Sequence, residues 1–250
     1  MNKYFENLNR IEFVITYACT GHCKHCSEGE HLALGEHIHD EKAIELVKCV
    51  AEKYQIDSLM TFGGEPLIYP ETVCAIHSVA KEMKIPKRQL ITNGFFSKDI
   101  DKIKLVAQNL VQSGVNDILL SVDAFHQETI PIEPVKIFAE EIQKSGVRIR
   151  VHPAWLVNKE HDNPYNRKTV EILEKFKESR FQESSGNVIF PGGNALKYLG
   201  DYFEPGKEYV SQYAENPKDI HAICVCPNGD VLGNNIYTTD ILKIFETYEP

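Results

Sequence analysis

The strongest constraint on the fold of this chain is a regular alternation of short apolar runs with amphipathic segments over its first two hundred residues. The runs begin near residues 11, 57, 88, 116, 147 and 187, and we expect strands over 11–16, 58–62, 89–92, 117–122, 147–152 and 187–190. Between them apolar residues recur at helical spacing, as in Ala43, Ile44, Leu46, Val47 and Val50, or Ile103, Val106, Ala107 and Leu110. That spacing predicts helices over 41–54, 70–84, 100–113, 134–144 and 166–179. Alternating strands and helices imply βαβ units, a parallel sheet and right-handed crossovers. The near-continuous run Ile118-Leu119-Leu120 suits a strand covered on both faces. Six such units fall short of the eight that close a full barrel.

Residues 200–250 break the pattern. They are rich in Tyr, Gly and Asn and hold Cys224-Val-Cys226-Pro-Asn-Gly-Asp230. Asn228-Gly229 is a hairpin signal, and residues 236–248 suit a closing helix. A formal net charge of -9 argues against a general nucleic-acid binder, which draws on clustered Lys and Arg. No apolar run approaches the ~18 residues of a membrane span, and Met1-Asn-Lys-Tyr-Phe-Glu6 lacks a secretory layout. We therefore expect a cytoplasmic protein, with no membrane and no nucleic acid among its partners. Seven cysteines in that setting point to metal or redox chemistry before disulfides.

Directly after the first run, residues 17–27 read Tyr-Ala-Cys-Thr-Gly-His-Cys-Lys-His-Cys-Ser, which sets Cys19, Cys23 and Cys26 in a C-x3-C-x2-C triplet. Thiolates favour zinc or iron–sulfur clusters. A structural zinc site or a complete cubane takes four protein ligands. With no fourth Cys nearby, the triplet leaves one iron of a [4Fe–4S] cluster open. The alternative is a zinc site that borrows His22, His25 or His31.

The triplet, with the ring residue His25 just before its last Cys, resembles the signature of the radical S-adenosylmethionine (SAM) superfamily. Thr61-Phe-Gly-Gly-Glu-Pro66, one βα unit later, resembles that family's second hallmark. The resemblance implies an α/β fold, a partial (β/α)6 TIM-type barrel over residues 1–199 with a small C-terminal cap over 200–250. It implies a [4Fe–4S] cluster on Cys19, Cys23 and Cys26, with SAM chelated at the open iron. In that family one electron cleaves SAM to methionine and a 5'-deoxyadenosyl radical, which abstracts a substrate hydrogen.

Ligands of parallel α/β sheets gather at the carboxyl ends of the strands, where all the remaining candidates fall. The resemblance implies that Gly63, Gly64 and Glu65 bind the methionyl amino group of SAM, and glycine lets a backbone approach a ligand closely. Ser121 and Asp123 share one face of the fourth strand. The resemblance gives them the ribose hydroxyls, with Asn93 assisting, whereas the plain reading has Asp123 capping the following loop. Arg150 suits the SAM carboxylate if its face points inward, since a guanidinium fork matches two oxygens, and is an ordinary solvated residue if it does not. Trp155 walls the pocket or belongs to the core. His31, His37 and His39 read as solvated loop residues.

The tail resembles a trimmed SPASM or twitch extension, although Cys224 and Cys226 alone are too few for an auxiliary cluster. Cys49 and Cys74 fall within helices as small hydrophobes. Cys224 or Cys226 is then either a hydrogen-atom donor to a substrate radical or structural. We expect a radical SAM enzyme acting on a peptide or protein, served by a flavodoxin- or ferredoxin-like electron donor. The alternatives are a small-molecule step in cofactor or natural-product biosynthesis and a non-catalytic zinc-binding module.

Overall fold

The computed structural model describes residues 2–31, 35–177, 181–209 and 214–250. Strands and helices alternate in it as β1 (Arg10–Val14), α1 (Asp40–Lys53), β2 (Ser58–Phe62), α2 (Pro70–Glu82), β3 (Lys87–Thr92), α3 (Ile100–Ser113), β4 (Asp117–Leu120), α4 (Ile132–Lys144) and β5 (Arg148–Val151). There follow β6 (Ala154–Trp155), α5 (Pro164–Lys177), β7 (Gln182–Glu183), β8 (Asn187–Val188) and α6 (Gly193–Leu199). The tail holds β9 (Ala222–Val225), β10 (Asp230–Val231), β11 (Asn234–Asn235) and α7 (Ile241–Thr247).

Local chemistry sets the boundaries. Asp99 caps α3 by accepting from the amides of Asp101 and Lys102, and Gly114 ends the helix in the left-handed region at φ 97°. On that helix Ile103, Val106, Ala107 and Leu110 are all buried, which is the face the spacing predicts. The expected helix over 166–179 begins two residues earlier, and its last two positions lie outside the described residues.

Seven strands form one parallel sheet in the order β7-β5-β4-β3-β2-β1-β9, the open partial TIM-type barrel. Its outer face packs on the helices: Ile11, Phe13, Leu59, Leu90, Ile118, Leu120, Ile223 and Val225 belong to one continuous core. The alternate residues therefore face the barrel interior, with Glu12 in register with Met60 on one side and Cys224 on the other. Two expectations are corrected. The sixth place in the sheet goes to Gln182–Glu183, whereas Asn187–Val188 pairs with β6 in a separate two-stranded ribbon. A two-residue polar edge strand leaves no apolar run to find. The tail hairpin turns at Leu232-Gly233, with φ 51° and 73°, while Gly229, at φ 86°, makes the turn between β9 and β10.

The tail shares the core. β9 hydrogen-bonds alongside β1, and α7 lays Phe245 on Phe5 with ring centroids 4.4 Å apart and near Tyr54 at 5.7 Å. None of the described helices is long and apolar enough to cross a membrane. Because Phe245 is 2% exposed within that joint, Phe245→Ala is expected to lower the unfolding free energy by about 3–5 kcal/mol in a denaturant titration. A loss below ~1 kcal/mol would show that the tail does not brace the barrel.

Candidate active site

The cysteine loop leaves the carboxyl end of β1 and is held from two sides. On one side lies the turn after β2. The Gly64 amide donates to the Thr16 carbonyl and the Glu65 amide to the Ala18 carbonyl, both at 2.8 Å. Gly63 has φ 147°, and a Cβ there would stand 2.5 Å from the Thr16 oxygen; one on Gly64 would stand 2.1 Å from the Ala18 oxygen. No side chain fits such gaps. The glycine pair, expected to make way for a ligand, thus first makes way for the backbone of the cysteine loop.

The other side was missed in the sequence. The Asn194 amide donates to the Cys26 carbonyl at 2.9 Å, and its side-chain Nδ2 donates to the carbonyls of Cys23 and Gly29, each at 3.2 Å. Gly193, at φ 46°, would place a Cβ 2.4 Å from the Ser27 oxygen. The signal was a glycine pair and an Asn opening a short helix, but it lies some 170 residues from the triplet and belongs to no local pattern.

Cys19 and Cys23 are buried and Cys26 is half-buried. The Cys19 sulfur accepts from the Gly21 amide at 3.3 Å and from Asn93 Nδ2 at 3.7 Å. The Cys26 sulfur lies 3.0 Å from His31 Nε2. Burial pushes the Cys19 thiol up to about 12 and moves Cys23 and Cys26 in the same direction. Ligand thiols must lose those protons, so the chemistry of the set fits a cationic centre that drives them off. Cys23 also sits in a small second core with Phe125, Ala154, Leu156, Ile189 and Leu199, which walls the loop from water.

His25 packs on Phe125 and His126 with centroids 5.0 and 4.8 Å apart, and burial lowers its pKa to about 4, so the ring is neutral. Cys23, His25 and His126 offer ligand atoms within 4.8 Å of one another. This trio is the structural counterpart of the zinc alternative, with His126 as a member that the sequence did not suggest.

Glu65 is fully buried. Its Oε1 accepts from the Leu67 amide at 2.9 Å and the Thr92 hydroxyl at 2.7 Å, and its Oε2 accepts from the Asn93 amide at 2.8 Å. Burial raises its pKa to about 7, against the pull of those three donors. Glu65 therefore braces the glycine turn against the end of β3. Asn93 adds the next link, since its Nδ2 reaches Thr20 Oγ1 at 3.2 Å as well as the Cys19 sulfur. Ser121 is buried at the end of β4, its amide bonded to the Thr92 carbonyl at 2.8 Å.

Two of the residues expected to touch SAM are already engaged by protein partners. Asp123 does not present a free carboxylate to a ribose. Oδ1 accepts from the amides of Phe125 and His126, and Oδ2 from His126 Nδ1 and the Ala154 amide, all between 2.8 and 3.0 Å. Burial raises its pKa, but the His126 charge and hydrogen bonds outweigh that and hold the carboxylate below its usual range. It caps the loop, as the plain reading had it. Arg150 does not reach toward the cysteine loop either. Its Nη2 donates to both oxygens of Asp117, at 2.8 and 2.7 Å, and Asp117 opens β4 at the far end of the sheet. Gln89 Nε2 completes that group at 2.8 Å from Asp117 Oδ2. A half-buried guanidinium requires a counter-charge, and the neighbouring strand supplies it. Trp155 is 2% exposed and core.

Cys224 sits on the interior face of β9 beside Glu12. Cys226 follows that strand, beyond the register pair Phe13–Val225, close to Tyr17 of the cysteine loop.

A three-cysteine loop at the carboxyl end of the first barrel strand, laid on a GGE turn, is the site of an enzyme that runs radical chemistry from an iron–sulfur cluster and SAM. The chain belongs to the Radical SAM superfamily, whose sequence profile matches residues 13–194. Its relatives include a probable GTP 3',8-cyclase of Saccharolobus islandicus (strain L.S.2.15 / Lassen #1), 26% identical, with 82% of this chain and 78% of that protein aligned. A GTP 3',8-cyclase of Rippkaea orientalis is 28% identical over 44% of this chain and 33% of its own length. Among solved structures, Streptococcus suis SuiB bound to SAM has a TM-score of 0.62 at 14% identity. That match covers 96% of this chain, which spans 66% of SuiB. The structure of anSMEcpe with bound SAM has a TM-score of 0.59 at 16% identity, covering 96% of this chain and 80% of that one. The chain is thus a radical SAM enzyme, with a [4Fe–4S] cluster and SAM as its cofactors. Such enzymes act on peptide or small-molecule substrates.

A methyl group at Gly64 cannot coexist with the Ala18 carbonyl. Gly64→Ala is therefore expected to cut iron bound per chain after anaerobic reconstitution to less than half of wild type. Gly200→Ala, where nothing lies within 4 Å, leaves it unchanged. Equal loading in both variants would contradict the bracing role of the turn.

Proposed function

We propose that this enzyme modifies a peptide or protein substrate bound inside the barrel. Cys19, Cys23 and Cys26 hold the cluster, and Gly63, Gly64, Glu65, Asn93 and Ser121 border the SAM site. When bound, cluster and SAM together supply a carbon-centred radical that abstracts hydrogen. The chain's own residues fix the cysteine loop, exclude water through the Phe125 wall and present the interior face of β1, β9 and β5 to the substrate. A flavodoxin- or ferredoxin-like protein delivers the electron. Residues 200–250 form an extension of the 1–199 barrel, a reading supported by β9 lying in its sheet and Phe245 in its core.

The observation that carries the peptide reading is the charge balance of the interior face. Arg10 pairs with Glu12 at 2.5 Å and Arg150 with Asp117 at 2.7 Å, so both guanidiniums are already matched. A polyphosphate draws on unmatched cations, whereas a peptide backbone asks for neutral hydrogen bonding. Cys226, with Tyr17 beside it near the cluster loop, is placed to return a hydrogen atom to a substrate radical. The likeness in fold to SuiB, also solved with its precursor peptide SuiA, accords with this reading. The second reading is a small-molecule step in cofactor biosynthesis, favoured by the 26% identity to probable GTP 3',8-cyclases.

Anaerobically reconstituted enzyme, reduced in the presence of SAM, is expected to release 5'-deoxyadenosine, and Cys23→Ala to release none. GTP leaves the rate unchanged within about twofold in the peptide reading. A GTP-dependent rise of tenfold or more would select the small-molecule reading. Once a substrate is in hand, Cys226→Ala is expected to keep deoxyadenosine release while losing product. Unchanged product would remove Cys226 from the reaction.

A further inference from the structure

Among the three loop thiols, Cys26 has a distinctive neighbour. Its thiol is half-buried. It also lies 3.0 Å from His31 Nε2, the shortest of the nitrogen–sulfur contacts described at the loop. That histidine follows the C-x3-C-x2-C triplet by five residues and was expected to be solvated. Its position is set by the chain around it. The Gly29 amide bonds back to the Cys26 carbonyl at 3.4 Å, and Asn194 holds the carbonyls of Cys26 and Gly29 from the opposite side. The imidazole also lines a cavity of about 370 Å³ with His22, Lys24 and Tyr198.

The direction of the hydrogen bond follows from ligation. A metal-bound cysteine carries no proton, so the hydrogen between Cys26 Sγ and His31 Nε2 must belong to the imidazole. Hydrogen bonds to the sulfurs of a cluster favour its more negative, reduced state and so raise its potential. At Cys19 the donors are the Gly21 backbone amide at 3.3 Å and Asn93 Nδ2, which is longer at 3.7 Å. His31 is the side chain through which this sequence adjusts that term at closest range.

We propose that His31 is a positioning residue that donates its Nε2–H to the Cys26 thiolate and thereby raises the reduction potential of the [4Fe–4S] cluster. This rests on Cys26 being a cluster ligand in the proposed function, and the two ideas fail separately. Wild-type enzyme that takes up no cluster would sink the function; a loaded cluster indifferent to His31 would sink only this inference.

The test is an EPR-monitored redox titration of the reconstituted holoenzyme without SAM, in wild type, His31→Phe and His31→Gln. The Phe variant keeps a ring and loses the N–H, and its midpoint is expected to move to a more negative potential. The Gln variant keeps a side-chain donor and is expected to stay closer to wild type. A Phe midpoint equal to wild type, or equal shifts in Phe and Gln, would overturn the assignment. If the Phe variant loads no cluster, pulsed EPR on reduced protein labelled with 15N-histidine decides between wild type and His31→Gln. One weakly coupled nitrogen is expected to vanish in the Gln variant, and an unchanged spectrum would overturn the proposal.

Discussion

The site depends on backbone pressed against backbone. The turn at Gly63-Gly64-Glu65 lies on Thr16 to Ala18 so closely that two amide–carbonyl bonds of 2.8 Å replace side-chain packing. The start of the cysteine loop and the end of β3 are both tied to that contact. The cysteine loop starts there, Glu65 fastens the turn to Thr92 and Asn93, and Asn93 reaches back to Cys19. The glycines are needed because the two strand-end loops share space.

The second physical theme is burial of polar groups in matched sets. Asp123 is fully buried yet ionised because His126 and three backbone amides surround it. Arg150 and Asp117 neutralise one another across neighbouring strands. Such sets rigidify the ends of the strands and leave few loose charges in the interior. The peptide substrate we propose draws on this balance, since Arg10 and Arg150 are already paired, which suits a peptide better than a triphosphate.

Much of this was legible in the sequence, for identifiable reasons. Helices such as α3 showed themselves because burial follows a 3.6-residue period, and the parallel sheet because its strands alternate with those helices and include near-continuous apolar runs such as Ile118-Leu119-Leu120. The cysteine triplet and the glycine turn were legible because their residues are contiguous. What escaped is what depends on partners distant in sequence. Pattern gave the face of Arg150 but not the direction of its side chain, which Asp117 decides from another strand. Asp123 looked available until His126 and Ala154 came round to it. Gly193 and Asn194 clamp the loop from far down the chain, and Gln182–Glu183 is too short and polar an edge strand to announce itself.

The central claim is that three thiolates of one loop hold a cluster whose remaining iron is open to SAM. EPR of the chemically reduced, reconstituted protein before and after addition of SAM addresses it directly. The account predicts one [4Fe–4S]+ signal per chain whose g-values shift when SAM is added, and no such signal in a Cys19→Ser, Cys23→Ser, Cys26→Ser variant. Protein that binds zinc stoichiometrically through Cys23, His25 and His126, or a cluster whose spectrum ignores SAM, would contradict it.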